Sequence, residues 1–254
     1  TRADVAAQKR LELELRAGLI SEDEYDAILQ AGGGTWDRGR IGSSQWASYA
    51  EGWDYSPDMR EKYEALLNAI PRKPTNEEFL KGIIPIARWW DVNGVTRNGR
   101  TYHIPWQVTV VQATHESDYG RQMPYGHPDP ARDINITWEV HPDRNGNIDT
   151  WNMFGMTAPS NLRDWPAVSS GTDEQSRNGD WEHVTRWFRA YPDRASSVAH
   201  YELNLTYFSG IEQWSEEATN REGVIEMLGN IGMTYATDQQ YGSKAARVFD
   251  AIFK

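Results

Sequence analysis

The chain has 254 residues and no cysteine, with 26 basic against 37 acidic residues for a formal net charge of −11. That length can bury a core without staples, and the missing thiols exclude disulfides and thiolate metal sites. An acidic chain of mean hydropathy −0.74 is unsuited to nucleic-acid backbones, and no apolar run approaches the ~20 residues that span a bilayer.

Residues 4–30 read as a helical hairpin. Leu11, Leu15 and Leu19 recur at helical spacing around Gly18, and Ser21 with Glu24 forms a capping box that opens a second helix through Tyr25, Ile28 and Leu29. The stretch "KRLELELRAGLISEDEYDAIL" resembles small helical-hairpin modules at the ends of bacterial and phage proteins, which implies an assembly or targeting role for residues 1–30. Residues 31–56, opening "AGGGTWDRGR", have the Gly, Ser and Trp content of a linker. Ser56-Pro57 then starts a short helix through Leu66, Leu67 and Ile70, stopped by Pro71 and Pro74. The domain boundary is placed near residue 74, leaving 31–74 as linker and short helix and 75–254 as the catalytic domain.

Thr75 and Glu78 form a second capping box for a helix toward Trp90, with Pro85 expected to kink it. Pro105 opens a helix that runs to Tyr119, with Gly120 as its stop. Residues 121–180 lack helical periodicity and are rich in Gly, Asp, Asn and Pro, so loops and hairpins are expected there. Helical patterning returns at 195–208, 220–231 and 238–253, the last through Tyr241, Ala245, Val248, Phe249 and Ile252. The order describes a predominantly helical α+β protein with a cleft between two lobes.

The chemistry concentrates in "VVQATHESDYG", residues 110–120. Val108, Gln112 and Glu116 recur every four residues and share one helical face. A carboxyl at the end of that face is expected to be half-buried, which raises its pKa as a general acid requires. An ordinary glutamate in a last helical turn explains the spacing equally well. Twelve Trp and twelve Tyr offer flat rings suited to stacking on sugars, although most such rings serve cores and interfaces.

Four ordered blocks resemble one family. "ATHESDYG" is similar to the "AQ-x-x-x-ES-x-(W/Y)-G" signature of glycoside hydrolase family 73, the bacterial and phage peptidoglycan N-acetylglucosaminidases. "NMFGM" at 152–156, "FRAYPDRASSVAHY" at 188–201 and "YATDQQYGSKAARVF" at 235–249 follow in the family's order. The resemblance implies a lysozyme-like two-lobed fold, no cofactor, and hydrolysis of the β-1,4 bond between N-acetylglucosamine and N-acetylmuramic acid in peptidoglycan. It also implies Glu116 as proton donor, Asn152 and Phe154 shaping the cleft floor, and Tyr235 and Tyr201 as substrate-binding residues. The second carboxylate falls in "GTDEQSRNGDW", where Glu174 is assigned and Asp173 is the alternate, ahead of an Asn178-Gly179 hairpin turn. The substrate's own acetamido group is a further alternative. The sequence departs from the family at His115, where an apolar residue is usual, and in the long insert 127–151.

Other motifs carry less. "HESDY" lacks the second histidine of a zinc-protease motif, since position 119 is Tyr. "DRNGNID", residues 143–149, starts like a calcium loop but has Ile148 where glycine belongs, so an Asn-Gly hairpin turn is expected and no metal. The rival readings are a muramidase or lytic transglycosylase, and a non-catalytic phage tail protein with a wall-binding lobe. "NMFGM" in place of a "GLMQ"-type block speaks against the former. No charged-then-apolar leader opens the sequence, so delivery by a phage virion is expected, with residues 1–30 bound to a tail or other assembly protein. Extracellular or periplasmic release is the alternative, and either way the wall is the site of action.

Overall fold

The computed structural model describes residues 41–128, 143–158, 166–176 and 178–254; the hairpin expected at 1–30 lies outside them. Helix α1 (Gln45–Ser48) and a 3-10 turn (Pro57–Met59) lead into α2 (Arg60–Asn68) and α3 (Asn76–Asn93). The short strands β1 (Val95–Arg97) and β2 (Arg100–Tyr102) pair as a hairpin ahead of α4 (Trp106–Ser117). Strands β3 (Tyr125–Pro128), β4 (Ile148–Asp149), β5 (Ala167–Gln175) and β6 (Trp181–Arg189) form an antiparallel sheet of order β4-β3-β5-β6. Helices α5 (Arg194–Leu205), α6 (Ile211–Glu217), α7 (Arg221–Tyr235) and α8 (Tyr241–Phe253) close the chain. The protein is α+β and predominantly helical. No described helix is long and apolar enough to cross a membrane.

The capping box at Thr75 forms as its residues require. Thr75 Oγ1 accepts from Glu78 N at 3.2 Å, and the Glu78 carboxylate accepts from Thr75 N at 2.8 Å. Helix α3 carries Pro85 inside it, so the carbonyl one turn earlier lacks its usual donor four residues on. Helix α4 is the centre of the core, with every residue from Trp106 to Thr114 buried and α3, α7 and α8 packed around it. A helix covered on all sides needs no polar stripe, which is why its apolar pattern reads weakly. Helix α8 is one-sided instead, burying Tyr241, Ala245, Phe249, Ile252 and Phe253.

From Ile41 onward, the stretch expected to be a linker packs into this same core. Ile41, Ala47, Tyr63 and Leu67 are buried in it. Ser43 N and Ser44 N both donate to the Phe253 carbonyl, at 2.9 and 3.2 Å. Its aromatic residues explain the outcome: Trp46, Tyr49, Trp53, Tyr55 and Tyr63 contact one another ring to ring, and Tyr63 OH donates to the Asp54 carbonyl at 2.5 Å. Composition resembling a loop was here a set of rings with somewhere to go.

A second carboxyl lies deep in the helices. Glu202 of α5 is buried, and its Oε1 accepts from Thr109 Oγ1 of α4 at 2.5 Å. Burial pushes its pKa up to about 8 against the opposing Thr109 bond, and the Asp91 charge adds to the rise. The folded state therefore holds a proton that the unfolded chain releases near the ordinary carboxyl value of 4.5. Its contribution to stability is full below that value and is lost as pH rises toward 8. Glu202→Gln is expected to flatten the decline of Tm between pH 5 and 8, as measured by thermal melts. A slope unchanged by the substitution would place the proton elsewhere.

Candidate active site

Glu116 stands one residue before the end of α4, and its neighbours fix that end. Asp118, Tyr119 and Gly120 take left-handed backbone in succession, at φ 46°, 55° and 75°. Ser117 Oγ donates to the Ala113 carbonyl at 2.5 Å and accepts from Gly120 N at 2.8 Å. A side chain at Gly120 would put its Cβ 2.9 Å from the Phe79 ring. The Ser and Gly of "ESDYG" thus end the helix tightly against α3, and Glu116 rides on that rigid terminus.

Tyr241, the first residue of α8, donates its hydroxyl to Glu116 Oε1 at 2.7 Å. The same hydroxyl accepts from Gln112 Nε2 at 2.9 Å, so Gln112, one turn before Glu116, orients the tyrosine that orients the acid. The ring has room because residue 232 is glycine: a Cβ there would lie 2.3 Å from Tyr241 Cδ1. Its other neighbour is His115, edge-on at 5.0 Å between centroids. Burial holds the His115 pKa down, and the Lys244 charge adds to that.

Oxygen Oε2 of Glu116 faces a backbone turn. At Gly155, where φ is 60°, a Cβ would lie 3.3 Å from it. By area Glu116 is only half-buried, yet protein surrounds it densely, and desolvation lifts its pKa to about 7 against the Tyr241 bond. A carboxyl raised this far toward neutral pH can hold its proton there, which is the state a general acid uses.

The "NMFGM" turn that carries Gly155 is braced from below. Asn152 Nδ2 donates to the carbonyls of Met156 (2.9 Å) and Arg189 (3.0 Å), and its Oδ1 accepts from Met156 N at 3.0 Å. Phe154 stacks on Tyr201 with centroids 3.9 Å apart. Asn152, Phe154 and Tyr201 are all fully buried. The sequence reading gave these three to the substrate; in the structure they hold the turn from its underside, because their polar and aromatic surfaces are already spent on protein. Tyr235 ends α7, and its side chain lies outside the described residues.

Glu174 sits near the tip of the β5–β6 hairpin, half-buried, with both carboxylate oxygens on Arg186 at 2.7 Å. That guanidinium holds its pKa below the usual carboxylate range. Asp173 points to the opposite face of the strand and pairs with exposed His183 at 2.8 Å. The loop at Ser176–Asp180 turns the hairpin as Asn178-Gly179 suggested, with Gly179 N donating to Ser176 O at 2.9 Å. The hairpin tip reaches the segment just before Tyr241. Gln175 N donates to Thr237 Oγ1 at 3.3 Å, and Gln239 N to Gln175 Oε1 at 3.0 Å. Trp181 also lies 5.3 Å from Lys244 Nζ, and Lys244 pairs with Asp238. Residues 236–241 therefore bridge the two carboxylate-bearing elements. In the "DRNGNID" segment, Asp143 accepts from Asn145 N and Asn147 N at 2.8 Å each and from Tyr125 OH, which makes it a turn. Among the described residues no cluster of three acidic or histidine side chains could hold a metal.

A carboxyl raised toward neutral pKa stands on a helix end, and residues 236–241 link it to a hairpin that carries a carboxylate held ionised. Residues 93–253 match the glucosaminidase family, described as mannosyl-glycoprotein endo-beta-N-acetylglucosaminidase. The chain belongs to that family, glycoside hydrolase family 73 of peptidoglycan N-acetylglucosaminidases, and is a glycoside hydrolase. Among solved structures it is similar to a peptidoglycan hydrolase mutant from Sphingomonas sp. A1, with 21% identity over 69% of this chain and 93% of that one, at a TM-score of 0.48. It is also similar to a truncated glycoside hydrolase domain of FlgJ from Salmonella typhimurium (22% identity, 70% of this chain, 97% of that one, TM-score 0.43). The catalytic domain of the autolysin Auto from Listeria monocytogenes gives 19% identity over 76% of this chain and 93% of that one, with a TM-score of 0.41. No curated protein matches the chain.

Tyr241 is the residue that the sequence reading passed over in favour of Tyr235. A signal existed: both tyrosines stand in the same "YATDQQY" block, and only Tyr241 begins a helix.

Proposed function

We propose that this enzyme hydrolyses the β-1,4 bond on the reducing side of N-acetylglucosamine in peptidoglycan, with Glu116 as the proton donor. The observation that carries the reading is the Glu116 carboxyl itself, pushed up to about 7 by burial and held in place by Tyr241. Glu116 gives its proton to the glycosidic oxygen as the bond from that oxygen to the sugar C1 breaks. The cationic sugar left behind is met by an ionised carboxylate or by its own acetamido oxygen, and water completes the hydrolysis. Glu174 is the carboxylate we assign to that step, because Arg186 keeps it ionised at the pH where Glu116 keeps its proton. The two environments push the paired carboxyls in opposite directions, as an acid and its partner require.

Product analysis tests the bond. Digestion of purified peptidoglycan followed by borohydride reduction is expected to yield N-acetylglucosaminitol ends. Reduced muramic acid ends would make the enzyme a muramidase, and anhydromuramic ends a lytic transglycosylase.

The enzyme acts at the wall, outside the cytoplasm; the hairpin sequence of residues 1–30 supports docking to a larger assembly, and a phage virion is the assembly we assign to it. Residues 41–56 belong to the folded core, so the informative truncation removes residues 1–40. That variant is expected to hydrolyse isolated peptidoglycan like the full chain yet fail to join a virion; incorporation of the truncated protein would sink the assembly role.

A further inference from the structure

One concavity, of about 160 Å³, is lined by Arg72, Lys73, Arg121, Met123, Tyr125 and Asp149. In a chain of net charge −11 it gathers three cations against one carboxylate. Arg121 is already engaged, with Nε and Nη2 on Asp118 at 3.1 and 2.8 Å and Nη1 on Asn76 at 2.8 Å. Arg72 gives only Nη2 to Asp149, at 2.8 Å, and lies 5.9 Å from the Tyr125 ring centroid. Lys73 makes no ion pair among the described residues. The donors left for a ligand are therefore the Lys73 ammonium and the remaining edge of the Arg72 guanidinium.

The backbone that presents them is built in. Arg194, itself 2% exposed, donates Nη1 to the Ile70 carbonyl and Nη2 to the Pro71 carbonyl, at 2.8 and 2.9 Å. Its guanidinium also lies 4.7 Å from the Trp151 ring centroid, on the segment leading to Gly155. The pocket is close to the site along the chain. Arg121 follows Glu116 by five residues, so their Cα atoms are within roughly 18 Å. Both donors precede the family match at 93–253, and the rest of the lining lies within it.

We propose that this pocket binds a carboxylate of the peptide stem carried by the sugar next to the scissile bond. Lys73 and Arg72 would supply charge-assisted donors, and Tyr125 and Met123 a wall for the peptide. The inference rests on the reading of peptidoglycan as substrate. A stem of about five residues reaches roughly 17 Å, a length comparable with the roughly 18 Å limit between the Glu116 and Arg121 Cα atoms. A carboxylate accepts two such donors at once, and charge-assisted donors exceed neutral ones in strength, although Arg72 and Lys73 are both exposed.

The test compares stem-bearing glycan strands, freed of phosphodiester wall polymers, with the same strands stripped of their stems. For the double variant Arg72→Gln/Lys73→Gln, KM on stem-bearing strands is expected to rise about tenfold with kcat within about twofold. Lys73→Gln alone, which breaks no contact in the fold, is expected to show part of that rise, and Lys73→Arg to behave as wild type. On stripped strands all forms are expected to agree. An unchanged KM on stem-bearing strands, or an equal rise on stripped ones, overturns the proposal. So does an effect seen only on walls that retain phosphodiester polymers, which would make the anion a phosphate. Should the wild-type enzyme cleave neither substrate, the proposed function fails separately. Binding of a soluble stem tetrapeptide then decides the pocket, with equal affinity of wild type and double variant counting against it.

Discussion

Replacing Glu116 by Gln is expected to lower peptidoglycan hydrolysis by about 10²–10⁴-fold while the protein stays folded. Gln keeps the shape and can still accept the Tyr241 hydroxyl, so the Gln112–Tyr241 arrangement survives; only the transferable proton is lost. The wild-type rate carries the same signature. Because the acid works protonated, kcat/KM is expected to fall as pH rises through about 7, where Glu116 ionises. The Tyr241 bond favours the ionised form and so holds that value down. Tyr241→Phe removes it, and the falling limb is expected to move to higher pH while the peak rate drops because the acid is less well oriented. Assays across pH 5–9 on isolated peptidoglycan, with circular dichroism to establish folding, measure both. A folded Glu116→Gln variant of near-normal activity would remove this carboxyl from the mechanism.

What could be read from the sequence follows from how each residue acts. Thr75 and Glu78 act on their own backbone, so the capping box was visible and forms as written. Asn178-Gly179 likewise encodes its turn locally. Spacing placed Glu116 on one helical face with Val108 and Gln112 but fitted an ordinary last-turn glutamate equally well, and the resemblance of "ATHESDYG" is what chose it. Tyr241 was hidden by its company: it heads the stripe Tyr241, Ala245, Phe249 and Ile252, and a ring on an apolar stripe reads as packing. Only the crossing of α7 and α8, opened by Gly232, brings its hydroxyl to Glu116. For Asn152, Phe154 and Tyr201 the motif marked the residues but not their direction, and the structure turns all three inward. The packing of residues 41–74 depends on partners as distant as Phe253, which no local pattern records.

Glu174→Gln is expected to reduce turnover on the order of 10²-fold, and Asp173→Asn only a few-fold. Their neighbours decide the difference. Asp173 and His183 are both well exposed, and such a pair contributes little that solvent cannot replace. Glu174 is less accessible and is held through both oxygens by Arg186, which keeps its charge fixed and its geometry narrow. Removing that charge takes away the group we assign to the cationic sugar. Removing Arg186 instead leaves the group in place but easier to protonate. Arg186→Gln is therefore expected to raise the Glu174 pKa, so that activity on the acidic side of the pH profile is lost at a higher pH than in the wild type. A purely structural ion pair would change stability without moving that limb. Equal, small effects of Glu174→Gln and Asp173→Asn would point instead to the substrate's acetamido group, which needs no second carboxylate.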